Sequence, residues 1–348
     1  MELGINNPEP HIIILWQLED FDHVHSVIRS RFRLVRTFEV PCLLDNLGDI
    51  GRRQILDALY RYDGSTPGTK GTKPFHVFII EDENPIYDIR DATRVTKPVN
   101  LNMYDLKHSL RQGRSGYLHA TDNLEEVHDN LQVLSHLMDD KSIYDIWKNW
   151  RPKFNDMLEF FDKLHSSDKL EYVIMRNFDH YPESVTVDEH TDIDILVNDY
   201  FLFKSLSGGK NRKTPAYEDG GFKVANLVQF ADKEVTVDTR FIGDDYYCKA
   251  WQVDILKNRR LVNGFYIMDD KNHFYSLLYH ALIHKESVSK TYIKTFMELG
   301  TKLGVDINSI NVHHRSHIKL LLDIFMNENG YEYVRAKDLG VFFNRTGR

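Results

Sequence analysis

Cysteine is scarce in this chain: Cys42 and Cys248 are its two thiols in 348 residues. Two cysteines so far apart form neither a disulfide framework nor a cysteine-rich zinc cluster, and they fit a reducing compartment. Long apolar runs are missing too. No stretch approaches the roughly 18 residues that a helix needs to cross a bilayer, so no membrane span is expected. An excess of positive charge is also absent. The formal net charge of -8 gives no general pull toward nucleic acid or an anionic membrane. The opening residues MELGINNPEP lack the basic and apolar regions of a signal peptide, so the expected location is cytoplasmic. No internal repeat is evident.

What is present argues for packed cores. Hydrophobic residues make up 42% and aromatics 12%, too many for a wholly disordered chain. The length favours two domains over one. In the first half, strand-like and helix-like patterns alternate. HIIILW (11–16), LVRTFEV (34–40) and FHVFIIED (75–82) read as strands. EDFDHVHSVIRSRF (19–32) and DIGRRQILDALYRY (49–62) read as helices. DGSTPGTKGTKP (63–74) is a loop by composition. Further helices are expected over 103–112, 124–138 and 143–164, the last connecting the two halves.

The second half changes character. EYVIMRN (171–177) and TDIDILV (191–197) read as strands, followed by a short helix near 199–206. SGGKNRKTPAYEDGG (207–221) reads as a soluble loop. FKVANLVQF (222–230) and KEVTVDTRF (233–241) read as a hairpin around Ala231-Asp232. Helices are expected over 247–258, 270–285, 289–303 and 315–328. The fold class is therefore α/β (α+β): an α/β layer, then a mixed sheet with an appended helical region.

TDIDILV raises the central question. Alternate side chains of a strand share a face, so Asp192 and Asp194 project together. Two unpaired carboxylates among aliphatic residues repel and cost several kcal/mol to bury. A positive partner is required. One answer is a metal ion: Asp238, on a later strand, completes a set of three hard oxygen ligands suited to Mg²⁺ or Mn²⁺. Such an ion orients an attacking oxygen and stabilises charge in phosphoryl transfer. The other answer is structural, with the aspartates paired to Arg176 or Arg240.

The strands EYVIMRN, HTDIDILV and VTVDTR, over roughly residues 170–245, resemble the core of the nucleotidyltransferase superfamily with a polymerase-β-like fold. The resemblance implies that Asp192, Asp194 and Asp238 are catalytic and bind Mg²⁺. Where that superfamily has a Gly-Ser pair holding a triphosphate, this chain has Arg176-Asn177. A guanidinium there can hold phosphate bidentately, so the donor need not be a plain nucleoside triphosphate. The tract VDTRFIGDDYYCKAWQVDIL, with FYSLLYHALIHK after it, is similar to nucleotidyltransferase-like proteins of polysaccharide and capsule gene sets. Lys210, Arg212 and Lys213 are expected to close over donor phosphates, with Arg240 nearby. His280 and His284 lie four apart, on one helical face. They read as neighbours of a site more readily than as a zinc pair, because no third ligand is evident.

RQGRSGYLHATDNLEEVHDNLQVL (111–134) resembles the active-site segment of nucleoside diphosphate kinases, where a phosphorylated histidine precedes Gly-Ser-Asp. Here His119 precedes Ala-Thr-Asp. The kinase's Lys-Pro-Asp is absent, and Ala120 replaces the glycine. The shape of the domain carries over more readily than the phosphohistidine. His119, Lys107, Arg111 or Arg114 would then bind an anionic ligand. Otherwise Thr121 or Asp122 caps the next helix and His119 is a loop residue.

The sequence thus suggests a nucleoside-diphosphate-kinase-like domain over 1–140, a connecting helix over 141–164 and a nucleotidyltransferase-like catalytic domain over 165–348. The expected activity is metal-dependent transfer of a nucleotidyl or phosphoryl-linked group from a nucleotide or nucleotide-activated donor to a sugar or glycan. Two alternatives stay open. One is a sugar transferase that uses its D-x-D on a nucleotide sugar; the other is a non-catalytic nucleotide- or partner-binding protein.

Overall fold

The structure of the protein is a computed structural model that describes residues 8–16, 18–60, 68–92, 95–112, 116–150, 152–183, 192–211, 225–231, 233–285, 290–305 and 315–344. Its internal contacts divide the chain into two units. One comprises Met1–Lys153 with Ser205–Gly208, the other Phe154–Lys204 with Gly209–Arg348. Both mix helices with sheet.

The first unit contains β1 (Glu9–Leu15), α1 (Phe21–Arg31), β2 (Arg33–Val40), α2 (Leu43–Tyr60), β3 (Phe75–Asp82), β4 (Tyr87–Ala92), β5 (Val95–Asn100), α3 (Leu101–Arg111), β6 (Leu118–Ala120), α4 (Leu124–Leu137) and α5 (Lys141–Asn149). Four strands form an antiparallel sheet in the order β2-β3-β1-β6. The run HIIIL is apolar without alternation because its strand is central and covered on both sides. Ile12 and Ile14 pack with Leu56, Val127, Leu131 and Leu134, from α2 and α4. Ile13 and Leu15 pack with Val24, Ile28, Met103 and Leu106, from α1 and α3. Antiparallel strands buried on both faces lose the period-two pattern just as parallel ones do.

The strands expected over 11–16, 34–40 and 75–82 are present, each within two residues. The hairpin β4–β5 was not expected. Pro98 interrupts its second strand, and a proline in a run argues against a strand. A two-stranded ribbon consists of edges alone, so the missing N–H of Pro98 is tolerated there. The helix α2 starts earlier than expected and is interrupted at Gly48, whose φ of 67° is left-handed.

The single connecting helix expected over 143–164 is corrected. α5 ends at Asn149, the two-residue strand β7 (Lys153–Phe154) follows, and α6 (Met157–His165) begins anew. Pro152 lacks the N–H that a continuous helix would use. Asp156 then caps α6, its side chain accepting from the backbone N–H of Glu159 at 2.9 Å.

The second unit continues with β8 (Tyr172–Ile174), β9 (Asp192–Val197), α7 (Tyr200–Ser207), β10 (Lys210–Asn211), β11 (Ala225–Phe230), β12 (Lys233–Phe241), α8 (Lys249–Lys257), β13 (Arg260–Val262), β14 (Phe265–Ile267), α9 (Asp270–Ile283), α10 (Lys290–Lys302) and α11 (Arg315–Glu328). Its mixed sheet runs β10-β11-β12-β9-β8-β14-β13. β9 is parallel to β12 and antiparallel to β8. The expected β11–β12 hairpin forms around Ala231, whose φ is 43°. The expected helices form too. The hairpin β13–β14 was not expected, although Asn263-Gly264, with φ of 49° and 88°, is a legible two-residue turn.

Leu196 and Val173 face a large core with Trp251, Phe274, Leu278, Leu322 and Phe325 from the helices. Ile193, Ile195 and Val197, on the opposite face of β9, are equally buried. On α6, Phe161 stacks on Tyr172 and Phe265, with ring centroids 5.9 Å and 4.9 Å away. Among the described residues no helix is long and apolar enough to cross a membrane.

Phe161 is fully buried, so Phe161→Ala should destabilise the protein by about 3–5 kcal/mol. Leu158, on the outer side of the same helix, is 43% exposed, and its substitution by Ala should stay within about 0.5 kcal/mol. Urea denaturation of both variants checks the pair; equal losses would show that α6 does not pack as described.

Candidate functional site

Parallel pairing of β9 with β12 brings the acidic residues together. Asp194 lies directly opposite Asp238, and Asp192 opposite Thr236. Paired residues share a face, and strands lie about 4.8 Å apart. The three aspartates therefore occupy one patch, but their surroundings differ. Asp192 is exposed, Asp194 is almost fully buried, and Asp238 is half-buried.

The positive partners are two arginines. Arg176, just beyond β8, grips Asp194 as a fork, with Nε to Oδ2 at 2.7 Å and Nη2 to Oδ1 at 2.5 Å. Arg240, two residues after Asp238 and on the same face, donates from Nη2 to Asp238 Oδ2 and from Nη1 to Asp338 Oδ2, both at 3.1 Å. Burial pushes the Asp194 carboxyl up, and Asp238 and Asp192 push the same way against the pull of Arg176. Burial also opposes the charge of Arg176, but Asp194 and the nearby tyrosines hold its pKa well above the ordinary value.

Tyr246 joins these groups. Its hydroxyl accepts from Arg176 Nη1 at 3.3 Å and donates to His280 Nδ1 at 2.9 Å. The Arg240 guanidinium lies 4.4 Å from its ring centroid. Asp244 Oδ1 accepts from the backbone N–H of Tyr246 at 2.9 Å and from Gln252 Nε2 at 2.6 Å, which fixes the turn that presents the tyrosine. Burial and then Arg176 push the His280 pKa well below its ordinary value. A neutral ring accepting at Nδ1 carries its proton on Nε2.

Tyr246 and Asp338 were not foreseen as site residues. GDDYY was visible, but nothing in its spacing links it to Arg176. Asp338 reaches Arg240 solely through the tertiary fold.

Not every candidate gathers here. Asn177 is exposed, with a left-handed φ of 59°. Lys210 is corrected from loop to strand: β10 pairs with the edge of β11 and so satisfies its backbone. The pairs Lys210–Leu227, Leu227–Thr236 and Thr236–Asp192 put Lys210 in one row with Asp192. Three strand spacings separate them, about 14 Å, too far for direct contact. Arg212 and Lys213 lie outside the described residues. His280 and His284 have ring centroids 6.1 Å apart.

For a metal ion, the donors are uneven. Both oxygens of Asp194 are taken by Arg176. Oδ1 of Asp238 is buried with no hydrogen-bond partner among the described residues, and Asp192 is open to solvent. Among the described residues no group of three or more His, Cys, Asp or Glu is arranged to hold a metal. Two carboxylates remain available, which is a normal protein contribution to a Mg²⁺ site completed by water and phosphate.

In the first unit, His119 lies in β6 opposite Ile14 and is buried. Its place is the middle of the edge strand β6 rather than a loop. Tyr60 packs edge-on at 4.5 Å, and Glu126 Oε1 lies 3.5 Å from Nε2. Burial, then Lys107, push the His119 pKa well below its ordinary value. The surrounding cations are engaged by protein groups. Lys107 binds Asp122 and the Ala120 carbonyl, and Lys97 binds Asp122 at 2.8 Å. Arg111 donates twice to the Leu118 carbonyl, at 2.9 Å and 2.7 Å. Arg114 lies outside the described residues.

The cap of α4 is Asn123, not Thr121 or Asp122; its side chain accepts from the Glu126 N–H at 3.0 Å. Thr121 is instead used by His11 Nδ1 and the Ile12 N–H, at 3.0 Å and 3.1 Å.

No protein-family model, curated protein or solved structure matches this chain.

Two measurements check this arrangement. Asp194→Asn strands a buried guanidinium and should cost about 3–5 kcal/mol without any divalent ion. Asp192→Asn removes an exposed carboxylate and should change stability by no more than about 0.5 kcal/mol. Equal effects in urea denaturation would contradict the pairing. The second measurement concerns Asp122. Burial works against its charge, but Lys107 and Lys97 lower its pKa from 3.8 to about 2. A depressed carboxylate contributes stability above its unfolded pKa and loses it as pH falls through the folded one. Between pH 4 and pH 2 this loss should be about 2 kcal/mol. It should be absent from the acid titration of Asp122→Asn, and a variant with the wild-type acid slope would rule the linkage out.

Proposed function

We propose that the second unit is a transferase of nucleotidyl or phosphoryl-linked groups, working at the β9–β12 strand pair on a sugar or glycan acceptor. One observation carries the reading: Asp194 and Asp238 are registered side by side on parallel strands, with Asp192 on the same face and Asp238 Oδ1 unpartnered among the described residues. The likeness of these strands to the nucleotidyltransferase core supports it. Mg²⁺ or Mn²⁺ would be held by Asp192 and Asp238. When bound, it supplies stabilisation of the charge that develops on phosphate oxygens.

The chain's own groups have separate tasks in this reading. Arg240 fixes Oδ2 of Asp238 and leaves Oδ1 for the ion or for the proton of the acceptor hydroxyl. Arg176 holds Asp194, so Asp194 keeps the two strands and the tyrosine hub in place rather than binding the ion. This revises the role the sequence suggested for it. The first unit is proposed as a non-catalytic module and not a phosphohistidine carrier, because the cations around His119 are committed to Asp122 and to backbone carbonyls.

A second reading is a non-catalytic binding protein. The closed pairs Arg176–Asp194 and Arg240–Asp238 favour it, since each neutralises a carboxylate without any ion.

The test is a thermal-shift and turnover screen with nucleoside triphosphates and nucleotide-activated sugars, with and without Mg²⁺ or Mn²⁺. A true donor at 100 times its Kd should stabilise by about 2.7 kcal/mol, and only with metal. Asp192→Asn and Asp238→Asn should both lose that response. Normal turnover in Asp238→Asn would move the activity to a D-x-D sugar transferase. If no nucleotide gives a metal-dependent response, the binding-protein reading replaces the transferase.

A further inference from the structure

Beside the tyrosine hub lies a group that nothing described so far uses. His284 is the last residue of the α9 helix cap, only 3% exposed, and neither of its ring nitrogens has a hydrogen-bond partner among the described residues. A neutral imidazole carries one donor and one acceptor. Buried polar atoms are nearly always paired, and an orphan marks a missing water, ion or ligand. Here both nitrogens are orphans, on a side chain packed 4.2 Å from the ring centroid of Tyr246.

A second orphan touches the same tyrosine. Arg240 bonds to Asp338 and Asp238 through its two terminal nitrogens, yet its Nε–H is buried without a partner among the described residues. His280, one turn earlier on α9, spends Nδ1 on Tyr246 and Arg176 and keeps its Nε2 proton. The unused capacity therefore includes an Arg240 donor and imidazole groups on one helix end.

The nature of the missing partner follows from the orphan atoms. Arg240 Nε–H, the Nε2–H of His280 and one ring N–H of His284 are donors, so they call for an acceptor. Arg240, Arg176 and Lys285 act on His284, but both arginines already carry carboxylate partners, so the donor set and not a net charge selects the ligand. Burial first, and the cations with it, push both imidazole pKa values well below the ordinary value. A metal cation would find mostly donors here, whereas an oxyanion would accept from them.

We propose that His284, with Arg240 and His280, forms a buried seat for an oxyanion, the phosphate or carboxylate group of a bound small molecule. The seat needs no divalent ion, so it stands apart from the metal reading of Asp192 and Asp238. In a transferase it would hold an acidic group of donor or acceptor beside the reacting strand pair. In a binding protein it would be the recognition element itself.

The experiment uses the full chain with ¹⁵N-labelled histidine, in a buffer free of phosphate, carboxylates and divalent ions. Inorganic phosphate and acetate are titrated separately, and the two arms distinguish the sources of the anion. The expected result is movement of the His284 ring resonances with one of them, together with a rise in Tm. His284→Phe keeps an aromatic ring against Tyr246 and should weaken that anion's binding at least tenfold. If His284→Phe does not fold, His284→Gln takes its place, and the wild-type resonances decide in either case. The inference is overturned if neither anion moves the His284 resonances, as expected when the orphan nitrogens are satisfied by water. Anion binding undiminished in the variants would overturn it as well, because the anion would then lie elsewhere.

Discussion

The second unit depends on one buried ion pair, Arg176 with Asp194. Asp194 sits in the middle strand of the sheet, on the same face as buried Leu196. A lone carboxylate there would cost several kcal/mol. The guanidinium fork removes that penalty, and in doing so it ties the end of β8 to the centre of β9. The same arginine reaches Tyr246 and His280. One interaction thus links the sheet, the turn after β12 and helix α9. Apolar replacements of such pairs are often neutral in stability. What this pair contributes is a fixed position for the charged groups around it.

That position shapes the chemistry open to the patch. With Asp194 closed by a fork, the acidic character rests on Asp192 and on one oxygen of Asp238. Arg240 performs a similar service for Asp238 but leaves Oδ1 unpaired among the described residues. The aspartates are equivalent in the strand pattern and unequal in the fold. On the helical side of Tyr246 lie two imidazoles, beside two arginines that are each already bonded to a carboxylate. In the proposed reading this site would take a ligand that carries both an ion-bound phosphate and a second acidic group. It suits poorly a plain apolar one.

The first unit follows the same economy in its polar groups. His119 is inserted into a covered strand, where burial keeps it neutral. Lys107 and Lys97 converge on Asp122, and Arg111 closes on the Leu118 carbonyl. His11 bridges Glu9 and Thr121 at 2.9 Å and 3.0 Å. These contacts fasten β1, β6 and the approach to α4. They leave His119 Nε2 facing Glu126 Oε1 at 3.5 Å with no hydrogen bond among the described residues, and its cationic neighbours already serve the fold.

Much of this was legible in the residues. Apolar runs marked the central strands, because a buried strand needs apolar side chains wherever it lies. The β11–β12 hairpin and the helices of the second half followed from period and turn chemistry. The common face of Asp192 and Asp194 followed from the two-residue repeat alone, as did the need for a positive partner. Local signals failed where two of them competed. Pro98 hides a strand, and the aromatic run over 143–164 masks the break at Pro152; Asn263-Gly264, between Val262 and Phe265, is by contrast a legible turn. Which partner Asp194 takes was beyond any local signal. Arg176 and Arg240 were both available in sequence, and so was a metal ion. Strand order decided it: β8 and β12 flank β9, so one arginine meets Asp194 and the other meets Asp238. The sequence by itself determined that these carboxylates must be neutralised. Only the tertiary structure, by bringing Tyr246, His280, His284 and Asp338 to the same place, decided by whom, because such contacts depend on packing across the sheet and not on distance along the chain.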